Sequence, residues 1–270
     1  MNESPIGVFD SGVGGLTVLK ALAAELPHER FVYLGDTARL PYGTKSPETV
    51  ARYAWQAAEA LLEYDVKCLV IACNTASAVG LPTIRERIEG IPVVGVIEPG
   101  AEAACAASKS GHIAVIATEG TVRGGAYQEA IVRLRANARV VALPTQLFVA
   151  LAEEGLHKGP IADGVARHYL DPLFGPLESH PDTLVLGCTH FPVLAGVIRA
   201  AIDPGVCLVD SAATTAKSVH QLLYREGLMR QAGESGIRFL ATDSAERFAR
   251  VGSHFLERRI DPAEVELVDL

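Results

Sequence analysis

Short β-branched runs recur between amphipathic helical stretches along the whole chain, and this rhythm constrains the fold more than any other feature. Ile6-Gly7-Val8-Phe9, Arg30-Phe31-Val32-Tyr33-Leu34, Lys67-Cys68-Leu69-Val70-Ile71-Ala72 and Ile91-Pro92-Val93-Val94-Gly95-Val96 read as strands. The pattern resumes with Ile113-Ala114-Val115-Ile116, Arg139-Val140-Val141-Ala142, Thr183-Leu184-Val185-Leu186, Cys207-Leu208-Val209 and Ile237-Arg238-Phe239-Leu240. The clearest intervening helix starts at Ser46-Pro47, an N-cap followed by proline at the first helical position, with Val50, Ala54, Ala57, Ala58 and Leu61 on one stripe. Strand and helix alternating throughout predict an α/β chain of parallel sheets covered by helices.

The chain also echoes itself. Ile6-Gly7-Val8-Phe9-Asp10-Ser11-Gly12 lies on Ile113-Ala114-Val115-Ile116-Ala117-Thr118-Glu119, and Leu69-Val70-Ile71-Ala72-Cys73-Asn74-Thr75 on Leu184-Val185-Leu186-Gly187-Cys188-Thr189-His190. In each half one strand ends in a hydroxyl-bearing turn and a later one in a cysteine followed by polar residues, as expected of ligand sites at strand C-termini. We expect two pseudo-symmetric parallel-sheet domains with the site between them. The first comprises residues 1–97 plus 210–270 and the second 98–209, with the crossover near Glu98-Pro99 and the return near Asp210.

Gross composition narrows the function. A length of 270 residues at 49% hydrophobic content suits one or two compact domains. The net charge of −8 and the lack of a Lys/Arg-rich run argue against nucleic acid or an anionic membrane as partner. That field also repels small acids, so an anionic substrate would need local neutralisation by backbone N–H groups and hydroxyls. The start, Met1-Asn2-Glu3-Ser4-Pro5, lacks a basic n-region and an apolar h-region, and no apolar stretch approaches the roughly 18 residues of a spanning helix. A soluble, cytoplasmic protein is expected. Five cysteines (Cys68, Cys73, Cys105, Cys188, Cys207) at irregular spacing, without a C-x-x-C pair, suggest neither a disulfide framework nor a structural zinc site.

Two of these cysteines stand out. Cys73 follows the apolar run ending at Ala72, and Asn74-Thr75-Ala76-Ser77 reads as the polar opening of a helix, whose N-terminus favours thiolate over thiol. Taken alone, it is also accounted for as a small buried apolar residue. Cys188 has the same setting and is followed by Thr189-His190-Phe191-Pro192, which puts an imidazole within reach of the thiol. Cys68, Cys105 and Cys207 lie in apolar or Ala-rich stretches and read as core. Two thiols can be a redox pair, nucleophiles, metal ligands, or a base and its conjugate acid. Redox couples usually show close spacing, a metal wants further ligands and a nucleophile needs one cysteine, so two equivalent strand-end cysteines favour paired proton carriers.

Asp10-Ser11-Gly12-Val13-Gly14-Gly15 suits a tight turn exposing backbone N–H groups at a helix start. Its G-x-G-G spacing and missing Walker lysine disfavour a nucleotide, leaving carboxylate binding. Asp10 or Ser11 is equally placed to cap the following helix. Leu40-Pro41-Tyr42-Gly43-Thr44 reads as a turn that either lines a ligand or is a plain Pro/Gly loop. Thr118 and Thr121 can cap a helix, His190 can be a core histidine, and Glu153-Glu154 can be a solvated helix end before Gly155.

Together, Asp10-Ser11-Gly12-Val13-Gly14-Gly15, Pro41-Tyr42-Gly43, Cys73-Asn74-Thr75-Ala76-Ser77, Gly187-Cys188-Thr189-His190-Phe191-Pro192 and Val209-Asp210-Ser211-Ala212 resemble bacterial glutamate racemases in order and spacing, over roughly Pro5 to Phe255. The cysteine motifs are the most specific pieces; aspartate, hydantoin and related racemases share the paired thiols in different surroundings. The resemblance implies a two-domain, pseudo-twofold enzyme without pyridoxal phosphate, other cofactor or metal, which interconverts L- and D-glutamate for peptidoglycan synthesis. It implies Cys73 and Cys188 as the acid/base pair, Asp10 assisting Cys73, His190 assisting Cys188, and Glu153 as a further assisting carboxylate. Substrate contacts carry over to Asp10, Ser11, Tyr42, Gly43, Asn74, Thr75, Thr118, Thr121, Thr189 and His190. A homodimer is implied too, and the few residues before the first strand imply no activation by a cell-wall precursor.

Removing a weakly acidic α-hydrogen and returning a proton on the opposite side requires two groups flanking one carbon. One thiol must be deprotonated and the other protonated, from an ordinary value of about 8.5, so a bell-shaped pH profile is expected. Without a cofactor, hydrogen bonds and water exclusion between two closing lobes would stabilise the carbanion. The rivals are a racemase of aspartate or another small acid, a two-lobed binding protein that would not need both cysteines, and a thiol–disulfide oxidoreductase.

Overall fold

The nine β-branched runs all become strands, and helices between them return the chain in the same direction. The computed structural model describes residues 3–175 and 180–270. In chain order the strands are β1 (Ile6–Asp10), β2 (Arg30–Gly35), β3 (Cys68–Ile71), β4 (Val93–Gly95), β5 (His112–Ala117), β6 (Arg139–Pro144), β7 (Thr183–Gly187), β8 (Cys207–Asp210), β9 (Gly236–Ala241) and β10 (Val265–Leu267). The helices are α1 (Leu16–Glu25), α2 (Pro47–Leu62), α3 (Asn74–Val79), α4 (Leu81–Arg87), α5 (Ile97–Ala107), α6 (Glu119–Arg123), α7 (Ala126–Leu134), α8 (Gln146–Glu153), α9 (Pro160–Phe174), α10 (Ala195–Ala200), α11 (Ser211–Arg225) and α12 (Ala245–Leu256).

The strands form two parallel sheets, in the orders β10-β9-β2-β1-β3-β4 and β6-β5-β7-β8. The internal echo is therefore real at the level of topology: β2-β1-β3-β4 and β6-β5-β7-β8 repeat one connectivity. It is real in register as well, since Phe9 pairs with Ile71 as Ile116 pairs with Leu186. In each unit the chain leaves the first strand for one side and returns on the other, so β1 and β3, like β5 and β7, flank a topological switch point. A crevice opens at the C-terminal ends of such strands. Ser11 and Cys73 follow β1 and β3; Thr118 and Cys188 follow β5 and β7.

Both faces of each sheet are covered. Ile6 and Val8 of β1 and Ala114 and Ile116 of β5 point into one continuous core that includes Leu16, Leu19, Val219 and Leu223 of the helices between the sheets. The outer face of the first sheet, with Phe9 and Ile71, receives the α2 stripe, whose buried residues are the predicted Val50, Ala54, Ala57, Ala58 and Leu61. The outer face of the second sheet packs Ala101 and Ala104 of α5 and Tyr127 and Ile131 of α7. Ser46 caps α2, accepting a hydrogen bond from Thr49 N at 3.3 Å. Such a cap contributes about 1 kcal/mol. Burying Leu61 alone contributes about 2 kcal/mol, so packing, more than the cap, holds this helix.

Three features depart from the sequence reading. β10 was not expected: it is a three-residue edge strand with Val265 buried and Glu266 and Leu267 exposed, so no apolar run marks it. Cys207, expected in the core, is exposed where the edge strand β8 begins, and Cys105 is only half-buried; Cys68 is buried as expected. No helix among the described residues is long and apolar enough to cross a membrane.

Candidate active site

A cavity of about 460 Å³ opens between the C-terminal ends of the two sheets. The first sheet contributes Ser11 after β1, Leu40, Pro41, Tyr42 and Gly43 after β2, and Cys73, Asn74 and Thr75 where β3 enters α3. The second contributes Thr118 after β5, the inner face of α8, and Cys188, Thr189 and His190 after β7. Both cysteines line this one cavity, and each is only 5% exposed.

Cys73 sits at the N-cap of α3, with Ala76 N directed at its sulfur at 3.5 Å and the Ser11 hydroxyl also at 3.5 Å. The sequence reading expected the helix start to favour thiolate. The structure reverses the sign: burial and then the Asp10 carboxylate push the Cys73 thiol up to about 12, outweighing the Ser11 and Ala76 hydrogen bonds. A six-residue helix carries a weak dipole, whereas desolvation acts on the whole charge. Cys73 is therefore held as a thiol.

Asp10 is fully buried behind the cavity wall and is not among the residues that line it. It does not cap α1, whose N-cap is Gly15. Its carboxylate instead accepts Gly12 N at 2.9 Å, a second bond from Gly15 N, and the Thr189 hydroxyl at 3.4 Å. The loop amides at Gly12 and Gly15 are thus spent on Asp10. Burial raises the Asp10 carboxyl above the usual carboxylate range, with His190 and these hydrogen bonds opposing.

Cys188 is differently surrounded. Its sulfur lies 3.7 Å from His190 Nδ1, His190 Nε2 is 3.2 Å from Glu153 Oε1, and Arg247 Nη2 of α12 donates to Glu153 Oε2 at 2.9 Å. Burial by itself lowers the imidazole's proton affinity, yet the Cys188 and Glu153 hydrogen bonds and the charges of Cys188 and Asp10 raise it to about 10. His190 is thus an imidazolium at neutral pH, placed where it stabilises a negative sulfur at Cys188. Glu153, drawn below the usual carboxylate range chiefly by the His190 hydrogen bond, turns inward while neighbouring Glu154 is exposed. Gly14 makes this approach possible, because a Cβ there would lie 2.4 Å from His190 Nδ1 and 2.5 Å from Thr189 Oγ1. The Thr17 hydroxyl anchors the same turn, donating to Thr189 O at 2.9 Å.

Hydroxyls join the two halves. Thr75 Oγ1 lies 2.9 Å from Thr118 Oγ1 and 3.1 Å from Thr121 Oγ1, and the last two are 3.0 Å apart. Thr118 occupies the N-cap of α6 but makes no capping bond with its side chain, which turns to this cluster. Thr121 stands behind the cavity wall; Thr75 and Thr118 line it. Tyr42 is buried, and its hydroxyl donates to Asp36, whose carboxylate is also held by Arg39 Nε at 2.6 Å and the Thr242 hydroxyl at 2.9 Å. That phenol supports the loop from behind, so Tyr42 and Gly43 present mainly ring and backbone to the cavity.

Sequence reasoning missed Arg247, Thr37 and the α8 face formed by Gln146, Leu147, Val149 and Ala150, all of which line the cavity. Arg247 lies on an amphipathic surface helix where an arginine is unremarkable, and nothing local marks it.

Two thiols in one cavity, one held protonated by burial and a nearby carboxylate and one beside an imidazolium, are equipped to pass protons in opposite directions. Sequence comparison agrees with that chemistry. The Asp/Glu/Hydantoin racemase family model matches residues 7–219. A glutamate racemase from Geobacter metallireducens is 51% identical over 252 residues, covering 93% of this chain and 92% of the relative. Among solved structures, a glutamate racemase isoform from Bacillus anthracis superimposes with a TM-score of 0.94 at 36% identity, covering 100% of this chain and 99% of that one. The Francisella tularensis glutamate racemase in complex with D-glutamate gives a TM-score of 0.92 at 37% identity, covering 100% and 98%. On the strength of the matched residues, the full-length relatives and the shared architecture, the chain belongs to the Asp/Glu/Hydantoin racemase family.

Proposed function

We propose that this chain interconverts L- and D-glutamate by a two-base proton transfer between Cys73 and Cys188, with no added cofactor. The observation that carries this reading is the placement of the two sulfurs: they end equivalent strands of two separate sheets and line one cavity. In one direction the Cys188 thiolate, stabilised by the His190 imidazolium, takes the α-hydrogen as a proton. The Cys73 thiol then delivers its own proton to the other face of the carbanion, leaving the proton count unchanged and the two sulfurs with exchanged roles. The return reaction runs the same steps backwards.

Asp10 assists Cys73 by keeping its thiol protonated, and His190, braced by Glu153, assists Cys188. The substrate carboxylates meet neutral donors: the hydroxyls of Ser11, Thr75 and Thr118, the Asn74 amide, and the backbone around Tyr42 and Gly43. Such pre-set donors are effective where water is excluded, which suits a negatively charged intermediate. Asp10 and Thr121 act from behind the wall. The division into residues 1–97 with 210–270 and residues 98–209 is supported by the segregation of β1–β4, β9 and β10 from β5–β8.

The product D-glutamate supplies peptidoglycan synthesis, the enzyme works in the cytoplasm, and it acts as a homodimer; these three points rest on the resemblance to bacterial glutamate racemases. A sedimentation measurement giving the mass of a single protomer would remove the last of them. The reaction itself is tested by polarimetry of L-glutamate with enzyme and no added cofactor. Rotation should decay to zero, with aspartate turned over far more slowly. Unchanged rotation, or preference for aspartate, would overturn the assignment.

A further inference from the structure

We infer that Tyr127 is a positioning residue that fixes the amide orientation of Asn74 and so aims a hydrogen-bond donor at the substrate. Tyr127 lies on α7, against the second sheet, and is 1% exposed; its hydroxyl donates to Asn74 Oδ1 at 2.8 Å. Asn74 belongs to the other half, directly follows Cys73, lines the cavity and is 3% exposed. Its Nδ2 has no hydrogen-bond partner among the described residues. A buried amide donor left unpaired is costly, and a substrate carboxylate oxygen is the acceptor such a cavity would supply.

A carboxamide can present either its oxygen or its nitrogen to a given neighbour. With the Tyr127 proton on Oδ1, the two N–H bonds of Nδ2 remain for the cavity. The flipped amide would turn a carbonyl oxygen toward an anionic substrate and repel it. Tyr127 itself has little freedom to let go. A Cβ at Gly187 would come within 3.1 Å of its Cε2, and one at Gly100 within 3.2 Å of its Cε1 and hydroxyl, so the ring is wedged between α5 and the residue preceding Cys188. One side chain thereby touches both cysteine-bearing turns: its ring packs against the backbone before Cys188 and its hydroxyl holds the amide after Cys73.

The inference rests on the racemase reading above, and its test separates the two. Glutamate turnover and D-glutamate binding by calorimetry are measured for the wild type, Tyr127→Phe, Asn74→Ala and the double variant. Tyr127→Phe keeps the wedge and removes the hydroxyl, losing the orienting proton together with the Ser211 contact. It should raise KM and Kd about fivefold to tenfold, change kcat less, and leave Tm near that of the wild type. In the Asn74→Ala background the same change should have no further effect. Equal losses in both backgrounds, or unaltered kinetics, would overturn the positioning role while leaving the racemase reading intact; a wild type that neither binds nor turns over glutamate would overturn both. Asn74→Asp gives an arm that leaves Tyr127 untouched. Tyr127 would pin one carboxylate oxygen and turn the other to the substrate, so Asn74→Asp should bind D-glutamate more weakly than Asn74→Ala, and equal or tighter binding would contradict the inference.

Discussion

Cys73 and Cys188 follow equivalent strands in two four-strand units of the same connectivity, yet their surroundings differ in kind. Around Cys73 the nearby charge is the Asp10 carboxylate, which together with burial holds the thiol near 12. Beside Cys188 stands the His190 imidazole, raised to about 10 and continued through Glu153 to Arg247. The repeated fold therefore supplies symmetric placement of the sulfurs, and the side chains supply an asymmetric charge. One sulfur rests with its proton and the other beside a positive group. A reaction that runs both ways needs the first property to reach both faces of a carbon and the second to keep one acid and one base ready at the same pH.

The comparison breaks most severely if either sulfur is removed. Cys73→Ser and Cys188→Ser should each lower racemisation at least about a thousandfold, because a hydroxyl is a far poorer proton carrier at neutral pH. A single variant retaining ordinary activity, followed by circular dichroism of L- and D-glutamate, would remove the pairing. Next in size are the assisting groups. His190→Gln should cost about a hundredfold in kcat/KM. Asp10→Asn should act in the opposite electrostatic sense, lowering the Cys73 thiol from about 12, as read by ultraviolet thiolate absorbance against pH. If both substitutions shift the same thiol in the same direction, the asymmetry described above is wrong.

Smaller effects sharpen the Cys188 side. Glu153→Gln should reduce kcat/KM about tenfold, since it weakens a charge-assisted hydrogen bond to His190. Arg247→Gln should cost only about threefold, because its ion pair with Glu153 is partly exposed and should weaken further with added salt. A separate effect is one of stability. The folded state raises His190 from 6.5 to about 10, so it binds this proton more tightly than the unfolded chain does. The resulting stabilisation is complete below about pH 6.5 and is lost as pH rises through about 10. The Tm difference between the wild type and His190→Gln should shrink across that window, and a difference that grows would reverse the sign assigned here.

Much of this was legible in the residues. Buried parallel strands are written as continuous apolar runs, so the nine strands that carry such runs and the α2 stripe could be read directly, and the internal echo carried the repeated connectivity. β10 was not legible because an edge strand with one buried residue has no periodicity to detect. The cysteine turns were legible through their strand-end position, but the state of Cys73 was not: local sequence shows the helix start, whereas the opposing Asp10 charge and the desolvation arise only when β1 and β3 pair. Arg247 and Tyr127 were hidden for a related reason. Each acts across the gap between the two halves, on Glu153 and Asn74, and no spacing within one segment encodes a contact of that range.

The most direct test of the two-sided account is racemisation of L-glutamate in deuterated solvent, sampled early in turnover and analysed by mass spectrometry for both enantiomers. With a sulfur on each face, the D-glutamate formed should carry deuterium at the α-carbon while the remaining L-glutamate stays largely unlabelled. D-glutamate that keeps its original α-hydrogen would mean that one group removes and returns the same proton, and the roles assigned to Cys73 and Cys188 would fail.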